Sequence, residues 1–311
     1  MNYSGVIVIS IVVLSYNHEK YISETLTSVY GLNIPKEVII IDDCSKDSSA
    51  KIIQDTIAKH EAFDYTNVII KDKNVGLIDS LNTGLKLAHS DYIYFIASDD
   101  VVDAHGFTAL YRELCSNNGA QFMMGNAWIY HTGKTPTEVA YKKQHKDFFA
   151  YNDNVLREKI FTNYPKPLLL QATIFKKSAL QIIGGWDVKL AWDDYPMFVK
   201  LFQKFSLSNG DYFFYDNVNV AKYRQHDSNA YKNLPKQLSM IEMAMKELAP
   251  SELYDTAISR QYAFYLLLAV KSRDLKSVRH VLNSVVREKV LLMTIYNLGA
   301  EIIQWYHRKK K

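Results

Sequence analysis

The stretch Tyr92-Ile93-Tyr94-Phe95-Ile96-Ala97-Ser98-Asp99-Asp100 drives an apolar run into two adjacent carboxylates. Hard cations such as Mg²⁺ or Mn²⁺ take oxygen ligands and commonly arrive bound to nucleotide phosphates, one or two protein carboxylates completing the shell. The pair is therefore a candidate cation site, and the same residues also suit a turn or a helix cap. A second run, Glu37-Val38-Ile39-Ile40-Ile41, ends on Asp42-Asp43-Cys44-Ser45-Lys46-Asp47-Ser48, where a turn closed by an Asx hydrogen bond is the bland alternative. A third acidic pair, Asp193-Asp194, lies in Ala191-Trp192-Asp193-Asp194-Tyr195-Pro196. That position also suits a helix N-terminus, where the dipole favours negative charge. Trp186 and Trp192 on either side suit either stacking on a sugar ring or anchoring a core.

The elements that must hold these groups follow from periodicity. Val6 to Leu14 forms one buried strand, too short to span a bilayer, and ends in Ser15-Tyr16-Asn17-His18. A helical period opens at Ser23 and runs through Leu26, Val29 and Tyr30. The strand Glu37 to Ile41 follows, then a helix carrying Ile52, Ile53, Ile57 and Ala58, a strand from Asn67 to Ile70, and a loop with Asn74-Val75-Gly76. The helix Ile78 to Ala88 leads back to the Tyr92 strand. Strands alternating with helices at this spacing predict a parallel, Rossmann-like sheet, and right-handed crossovers put every strand-end loop on one edge. Ser15 to Asn17, Asp42-Asp43, Asn74 to Gly76 and Asp99-Asp100 then share a rim. No dinucleotide G-x-G-x-x-G follows the first strand and no Walker A segment occurs, which removes support for an NAD dehydrogenase or a P-loop ATPase.

With 311 residues the chain has room for one large α/β domain and an appendage. Two cysteines, Cys44 and Cys115, make no disulfide framework, and the N-terminus lacks a secretory pattern, so a reducing, cytoplasmic setting is expected. The formal net charge is +4, yet ten Lys/Arg face three Asp/Glu from Lys271 onward, so the remainder is net negative. A positive tail without interleaved aromatics elsewhere argues against a nucleic-acid partner and for an anionic membrane surface.

Taken jointly, Val12-Val13-Leu14-Ser15-Tyr16-Asn17 with Tyr21-Ile22, Ile40-Ile41-Asp42-Asp43-Cys44-Ser45-Lys46-Asp47, Asn74-Val75-Gly76, Asn82-Thr83-Gly84 and Ser98-Asp99-Asp100 resemble the GT-A glycosyltransferases of family 2 over about residues 5–230. The resemblance implies a GT-A fold: a Rossmann-like, mostly parallel central sheet flanked by helices, here in residues 1–233, with a helical C-terminal extension in residues 234–311. It also implies an inverting transferase that uses a nucleotide-diphosphate sugar, UDP-sugar first, with Mg²⁺ or Mn²⁺. Carried over by position, Ser15, Tyr16 and Asn17 line the nucleotide pocket, Asp43 reads the nucleobase, and Asn74 and Gly76 lie near the donor. An ionised carboxylate suits base reading because it only accepts hydrogen bonds. Asp99 corresponds to the metal-contacting aspartate, with Asp100 beside it at the donor. Ala97 stands where the family often has another aspartate, which leaves less negative charge for a cation.

The same resemblance assigns Gly185, Trp186 and Asp193 to the acceptor side and makes Asp194 the catalytic base. In Tyr223-Arg224-Gln225-His226-Asp227-Ser228-Asn229 it gives His226 to the metal or the diphosphate and Arg224 to phosphate. In a loop, His226 is as readily a solvated residue. The implied acceptor is a glycan or lipid-linked glycan of bacterial surface assembly.

From about Leu234 the chain turns helical, through Leu238, Ile241, Met245 and Leu248. Leu291, Ile295, Leu298, Ile302 and Trp305 form one apolar stripe ending in His307-Arg308-Lys309-Lys310-Lys311. Such a stripe suits peripheral membrane contact, packing on the catalytic domain, or a homo-oligomer. Two other functional classes compete: a nucleotidyltransferase, against which Gly184-Gly185-Trp186-Asp187 and Asp193-Asp194 weigh, and a catalytically inactive sugar-nucleotide or membrane-binding partner, prompted by Ala97.

Overall fold

A computed structural model describes residues 8–226 and 233–309, with side chains to residue 303. Val6, Ile7, the segment Asp227-Ser228-Asn229, the Trp305 side chain and the basic end from His307 lie outside the described residues or side chains. The chain divides into two compact units, residues 1–153 with 165–226, and residues 154–164 with 227–311. The second thus takes in a segment that the sequence reading left within the catalytic domain.

The first unit is built on a nine-stranded sheet. Its strands are β1 (Ile9–Ser15), β2 (Lys36–Asp42), β3 (Thr66–Ile70), β4 (Tyr92–Ala97), β5 (Val101–Val102), β6 (Phe122–Tyr130), β7 (Glu138–Val139), β8 (Thr173–Lys176) and β9 (Tyr212–Arg224). They run in the order β3-β2-β1-β4-β8-β6-β9-β5, with β7 paired to β6. β1, β2, β3 and β4 are mutually parallel, as the alternating pattern requires. β8 is antiparallel to both β4 and β6, and β5 is antiparallel to β9, so the sheet is mixed but mostly parallel.

All seven residues of β1 are buried, because helices cover both faces. Those nearest the first half are α1 (Ile22–Tyr30), α2 (Ser49–Lys59), α3 (Leu77–Leu87) and α4 (Ala104–Ser116). Ile22, Leu26 and Val29 of α1, Ile53 and Ile57 of α2, and Phe107, Leu110 and Leu114 of α4 share one core with Ile9, Ile11 and Val13 of β1. The helices α5 (Lys143–Phe149), α6 (Asp153–Thr162), α7 (Lys177–Ile182) and α8 (Asp194–Lys204) belong to the middle of the chain.

β9 carries the last functional segment. Its pairing with β6 shifts from Met124↔Phe214 to Asn126↔Asn219, a bulge that takes up extra β9 residues before Arg224 pairs with Tyr130. The buried Asn126 side chain satisfies this break: its amide donates to the carbonyls of Tyr141 and Asp216, and its oxygen accepts from the N–H groups of Ala127 and Tyr141.

The second unit contains α9 (Leu234–Leu248), α10 (Ser251–Lys271), α11 (Leu275–Arg287) and α12 (Leu291–Lys309). α10 packs against the other three. Asn233 and Asp274 cap α9 and α11 by accepting from the N–H groups of Lys236 and Ser277. Of the α12 stripe, Leu291, Ile295 and Ile302 are exposed and Leu298 is half-buried, whereas Thr294 and Asn297 are buried, Asn297 donating to Ser259 Oγ at 3.0 Å; Leu292, Tyr296 and Ile303 are exposed as well. No helix among the described residues is long and apolar enough to cross a membrane.

Candidate functional site

The loops after β1 and β2 are laced together. Asn17, held at φ 53°, accepts from the Lys46 N–H at 2.7 Å and donates its own N–H to Ser45 Oγ at 2.8 Å. The His18 N–H donates to Ser49 Oγ at 2.9 Å. Ser15 Oγ donates to Asp42, which also accepts from the N–H and hydroxyl of Ser45. Asp42 is thus the turn residue of its pair, and Ser15 supports it from within the fold. Tyr16 is left exposed.

Asp43 points the other way. It accepts from the N–H of Val75 at 3.1 Å and of Gly76 at 2.7 Å and pairs with Lys71 at 2.9 Å. Burial opposes ionisation, but the Val75 N–H, Lys71 and the Gly76 N–H outweigh it and hold the carboxyl below the usual carboxylate range. Gly76 begins α3 at φ 101°, a backbone state that glycine adopts without strain and that aims its N–H at Asp43. Asn74 is exposed at the lip of this loop.

The turn from Ala97 to Asp100 is gripped from α1 and β9. Thr25 Oγ1 lies 2.8 Å from the Ser98 carbonyl oxygen and 2.6 Å from that of Asp100. Asp100 is buried, accepting the Arg224 N–H at 2.8 Å and the Gln171 amide at 2.9 Å. Burial, then the charge of Asp99, pushes its carboxyl well above the ordinary range. Asp99 faces two imidazoles: His226 Nε2 at 2.9 Å and His18 Nε2 at 3.8 Å from Oδ2. One donor atom from each of His18, Asp99 and His226 falls within 4.8 Å of the others. Two nitrogens and a carboxylate oxygen gathered this closely could hold a divalent cation, and Asp99 and His226, the two residues that the resemblance gives to a metal, lie side by side. His18 is the residue that sequence reasoning missed. Burial lowers its pKa, against the pull of Asp99 and with His226, and its Nδ1 lies 2.8 Å from Ser98 Oγ.

Arg224 corrects an expectation. Its side chain is fully buried between the Tyr21 and Tyr130 rings, 4.9 and 4.6 Å from their centroids. Its guanidinium donates to Glu24, Thr132 and the Asp99 carbonyl, so it braces the Asp99 turn from behind instead of presenting donors to a phosphate. Trp186 is also buried. It packs edge-on to Phe95 at 4.9 Å and donates Nε1–H to the Asp193 carbonyl at 3.0 Å, which makes it an anchor, not a stacking platform. Asn82 clamps the Trp186 backbone at both N–H and carbonyl. Gly185 precedes it at φ 62°, where a Cβ would meet Asn82 Oδ1 at 2.7 Å.

Asp194 opens α8, with Asp193 at the cap position. Its Oδ1 accepts the Leu170 N–H at 2.7 Å. The next residue, Gln171, holds Asp100, so a single 3₁₀ turn, Leu170–Ala172, ties this pair to the Asp99-Asp100 turn. Burial, then Asp193, and more weakly Asp100, raise the Asp194 carboxyl well above the ordinary range against the Leu170 N–H; burial also raises Asp193.

The family profile described as Glycosyl transferase family 2 matches residues 10–178, more than half of the chain. The chain belongs to glycosyl transferase family 2. A poly-beta-1,6-N-acetyl-D-glucosamine synthase from Staphylococcus epidermidis is 28% identical over 194 residues, 62% of this chain and 45% of the relative. The Staphylococcus aureus protein of the same name is 26% identical over the same extent. This family 2 chain therefore spans less than half the length of the curated relatives it matches. Among solved structures, residues 1–349 of S. aureus TarS in complex with UDP-GlcNAc superpose with a TM-score of 0.59 at 17% identity, over 89% of this chain and 79% of that one. The mannosyltransferase PcManGT from Pyrobaculum calidifontis, in complex with GDP-Man and Mn²⁺, gives 0.57 at 15% identity, over 95% and 84%. These likenesses support the GT-A fold of this family 2 member.

Proposed function

We propose that this family 2 enzyme is an inverting, metal-dependent transferase that moves a hexosyl or N-acetylhexosaminyl group from a UDP-sugar to an acceptor hydroxyl. The observation that supports the reading is the gathering of donor atoms from His18, Asp99 and His226 in the strand-end loops. Asp43, cradled by Val75 and Gly76, stands at the nucleotide end, the His18, Asp99 and His226 donors stand at the diphosphate end, and Asp194 stands apart with a carboxyl poised to hold a proton. Two kinds of relative favour UDP-GlcNAc as the donor to test first: the synthases named for poly-N-acetylglucosamine and TarS bound to UDP-GlcNAc.

Tyr16, Asn17 and Asn74 frame the nucleotide pocket around Asp43, while Ser15, buried and donating to Asp42, supports it from beneath instead of lining it. Asp99 and His226 would hold a divalent cation, Mg²⁺ or Mn²⁺, and such an ion would supply Lewis-acid stabilisation to the departing diphosphate. The chain's own residues do the rest. Asp194, with Oδ1 tied to Leu170, accepts the acceptor's proton on its other oxygen as that hydroxyl attacks the anomeric carbon from the face opposite the diphosphate. A raised carboxyl is a stronger base once ionised, so burial helps it to do this at moderate pH. Gly185 and Trp186 set the position of Asp193, and through it the start of α8. Arg224 and Asp100 hold the Asp99 turn. The exposed apolar face of α12 and the positive C-terminal charge support peripheral contact with the inner face of an anionic membrane, where a lipid-linked glycan acceptor resides.

The test is UDP-GlcNAc hydrolysis and transfer with Mn²⁺ and acceptor-containing extracts, for wild type and Asp194→Asn. Donor turnover in wild type that is lost in the variant, with UDP still bound, supports the enzyme reading. UDP binding without turnover of any UDP-sugar favours the inactive sugar-nucleotide partner suggested by Ala97.

A further inference from the structure

We infer that His18 is a third protein ligand of the donor-site cation and compensates for the carboxylate that Ala97 lacks, giving a centre of two imidazoles and one carboxylate that prefers Mn²⁺ and Co²⁺ to Mg²⁺. The inference rests on the metal-dependent reading above and deepens it. Ala97 ends β4 with a methyl group, so this strand offers the cation the single carboxylate of Asp99. Into the same space the β1–α1 loop sends His18, with Nε2 at 3.8 Å from Asp99 Oδ2. Two ligand atoms each about 2.1 Å from one ion lie about 3–4 Å apart. The spacing from Asp99 to His18 already matches, and that to His226, at 2.9 Å, needs only a hydrogen bond exchanged for coordination.

The ring of His18 is oriented for the task. Ser98, fully buried at the position next to Asp99, takes Nδ1 at 2.8 Å, which turns Nε2 toward the carboxylate, and Ser49 fixes the backbone at 2.9 Å. Ligating histidines are commonly held through their second nitrogen in this manner. His226 is fixed by its stack on Tyr21 at 4.8 Å. The three ligands come from the ends of β1, β4 and β9, and Thr25 and Arg224 brace the turn that carries Asp99. A set with two neutral nitrogens and one negative charge suits borderline ions, which imidazole favours, better than Mg²⁺, which dehydrates reluctantly and takes oxygen.

The test is pulsed electron paramagnetic resonance of Mn²⁺ bound to the full chain with UDP, alongside Mn²⁺, Co²⁺ and Mg²⁺ titrations by calorimetry. Two coupled imidazole nitrogens in wild type and one in His18→Gln, with Mn²⁺ binding weakened about tenfold or more and metal-free UDP binding unchanged, are expected. In a His18→Gln, Ala97→Asp double variant, Mg²⁺ binding gains relative to Mn²⁺. One coupled nitrogen in wild type overturns the role of His18 and leaves a metal site at Asp99 and His226. Tighter binding of Mg²⁺ than Mn²⁺ by wild type overturns the stated preference. UDP binding with no bound cation of any kind overturns the metal-dependent reading along with it. The wild-type spectrum decides even where a variant folds poorly.

Discussion

Two acidic pairs in the first unit, built from the same dipeptide, are given opposite electrostatic surroundings. Around Asp99 stand imidazoles: His226 at 2.9 Å and His18 at 3.8 Å, with the Arg224 guanidinium on its carbonyl. Around Asp194 stand a single N–H, from Leu170, and further carboxylates, Asp193 and Asp100. The imidazole nitrogens set Asp99 among groups that could share a cation with it, whereas burial among negative neighbours favours a carboxyl that holds a proton at Asp194. Sequence neighbours split the roles again within each pair. Asp100 turns inward to Arg224 and Gln171, and Asp193 offers its carbonyl to Trp186.

The hardest blow to this contrast is Asp194→Asn, which removes the proposed proton acceptor and keeps the shape. We expect transfer to fall by about 10²–10⁴-fold while UDP and Mn²⁺ affinity, measured by calorimetry, stay near wild type. An equal loss of metal binding would merge the two sites into one. Arg224→Met removes the brace behind Asp99. It strands Glu24, Thr132 and the Asp99 carbonyl and is expected to cost about 3 kcal/mol of stability in denaturant unfolding. Glu24 is 45% exposed and rehydrates in part, which keeps the loss from being larger. A stable variant with poor UDP binding would instead return Arg224 to the diphosphate.

How legible this was depended on the range of the contacts. The alternation of buried runs with helical periods located β1, β2, β3, β4 and α1 to α3 to within a few residues, because each is decided by its own pattern. The strand-end rim followed from the strands being parallel, as their alternation with helices predicts. Asp42 and Asp43 sat where the motif put them, but which of the two turned inward depended on Ser15 and Gly76, at separations of 27 and 33 positions. His18 meets Ser98 across 80 positions and His226 meets Asp99 across 127. The only sequence trace of the first was a histidine following Ser15-Tyr16-Asn17 in a chain that lacks an aspartate at Ala97. Arg224 looked like a phosphate ligand because Tyr223-Arg224-Gln225-His226 resembles a segment of the family to which that role is given. Nothing local announced that Tyr21, Glu24, Tyr130 and Thr132 would enclose it. The run from Tyr130 to Asn154 had no motif character, and α6, which follows it, joins the C-terminal unit through packing that no local pattern records.

A smaller effect isolates the support of the second pair. Gly185→Ala places a Cβ 2.7 Å from Asn82 Oδ1 at φ 62°, in a turn whose Trp186 backbone Asn82 clamps. We expect a cost of about 1–2 kcal/mol in unfolding, and a fall in kcat with little change in UDP affinity, since Trp186 positions the Asp193 carbonyl and not the nucleotide rim. A change confined to UDP affinity would place this turn on the donor side.

The finest test of the contrast is Asp193→Asn read as a pH profile. Asp194 must be ionised to take a proton, and its carboxyl titrates above the ordinary range, so activity should fall on acidification at a higher pH than for an unperturbed aspartate. Burial is the larger cause and survives the substitution. The charge of Asp193 is the second and does not. Removing it stabilises the ionised form of Asp194, so the acid limb of kcat should move to lower pH while the plateau at higher pH is largely kept. The same substitution should leave the pH dependence of Mn²⁺ binding unmoved, because that site is surrounded by His18 and His226. If both profiles shift together, the two pairs share one titration and the division between cation and proton fails.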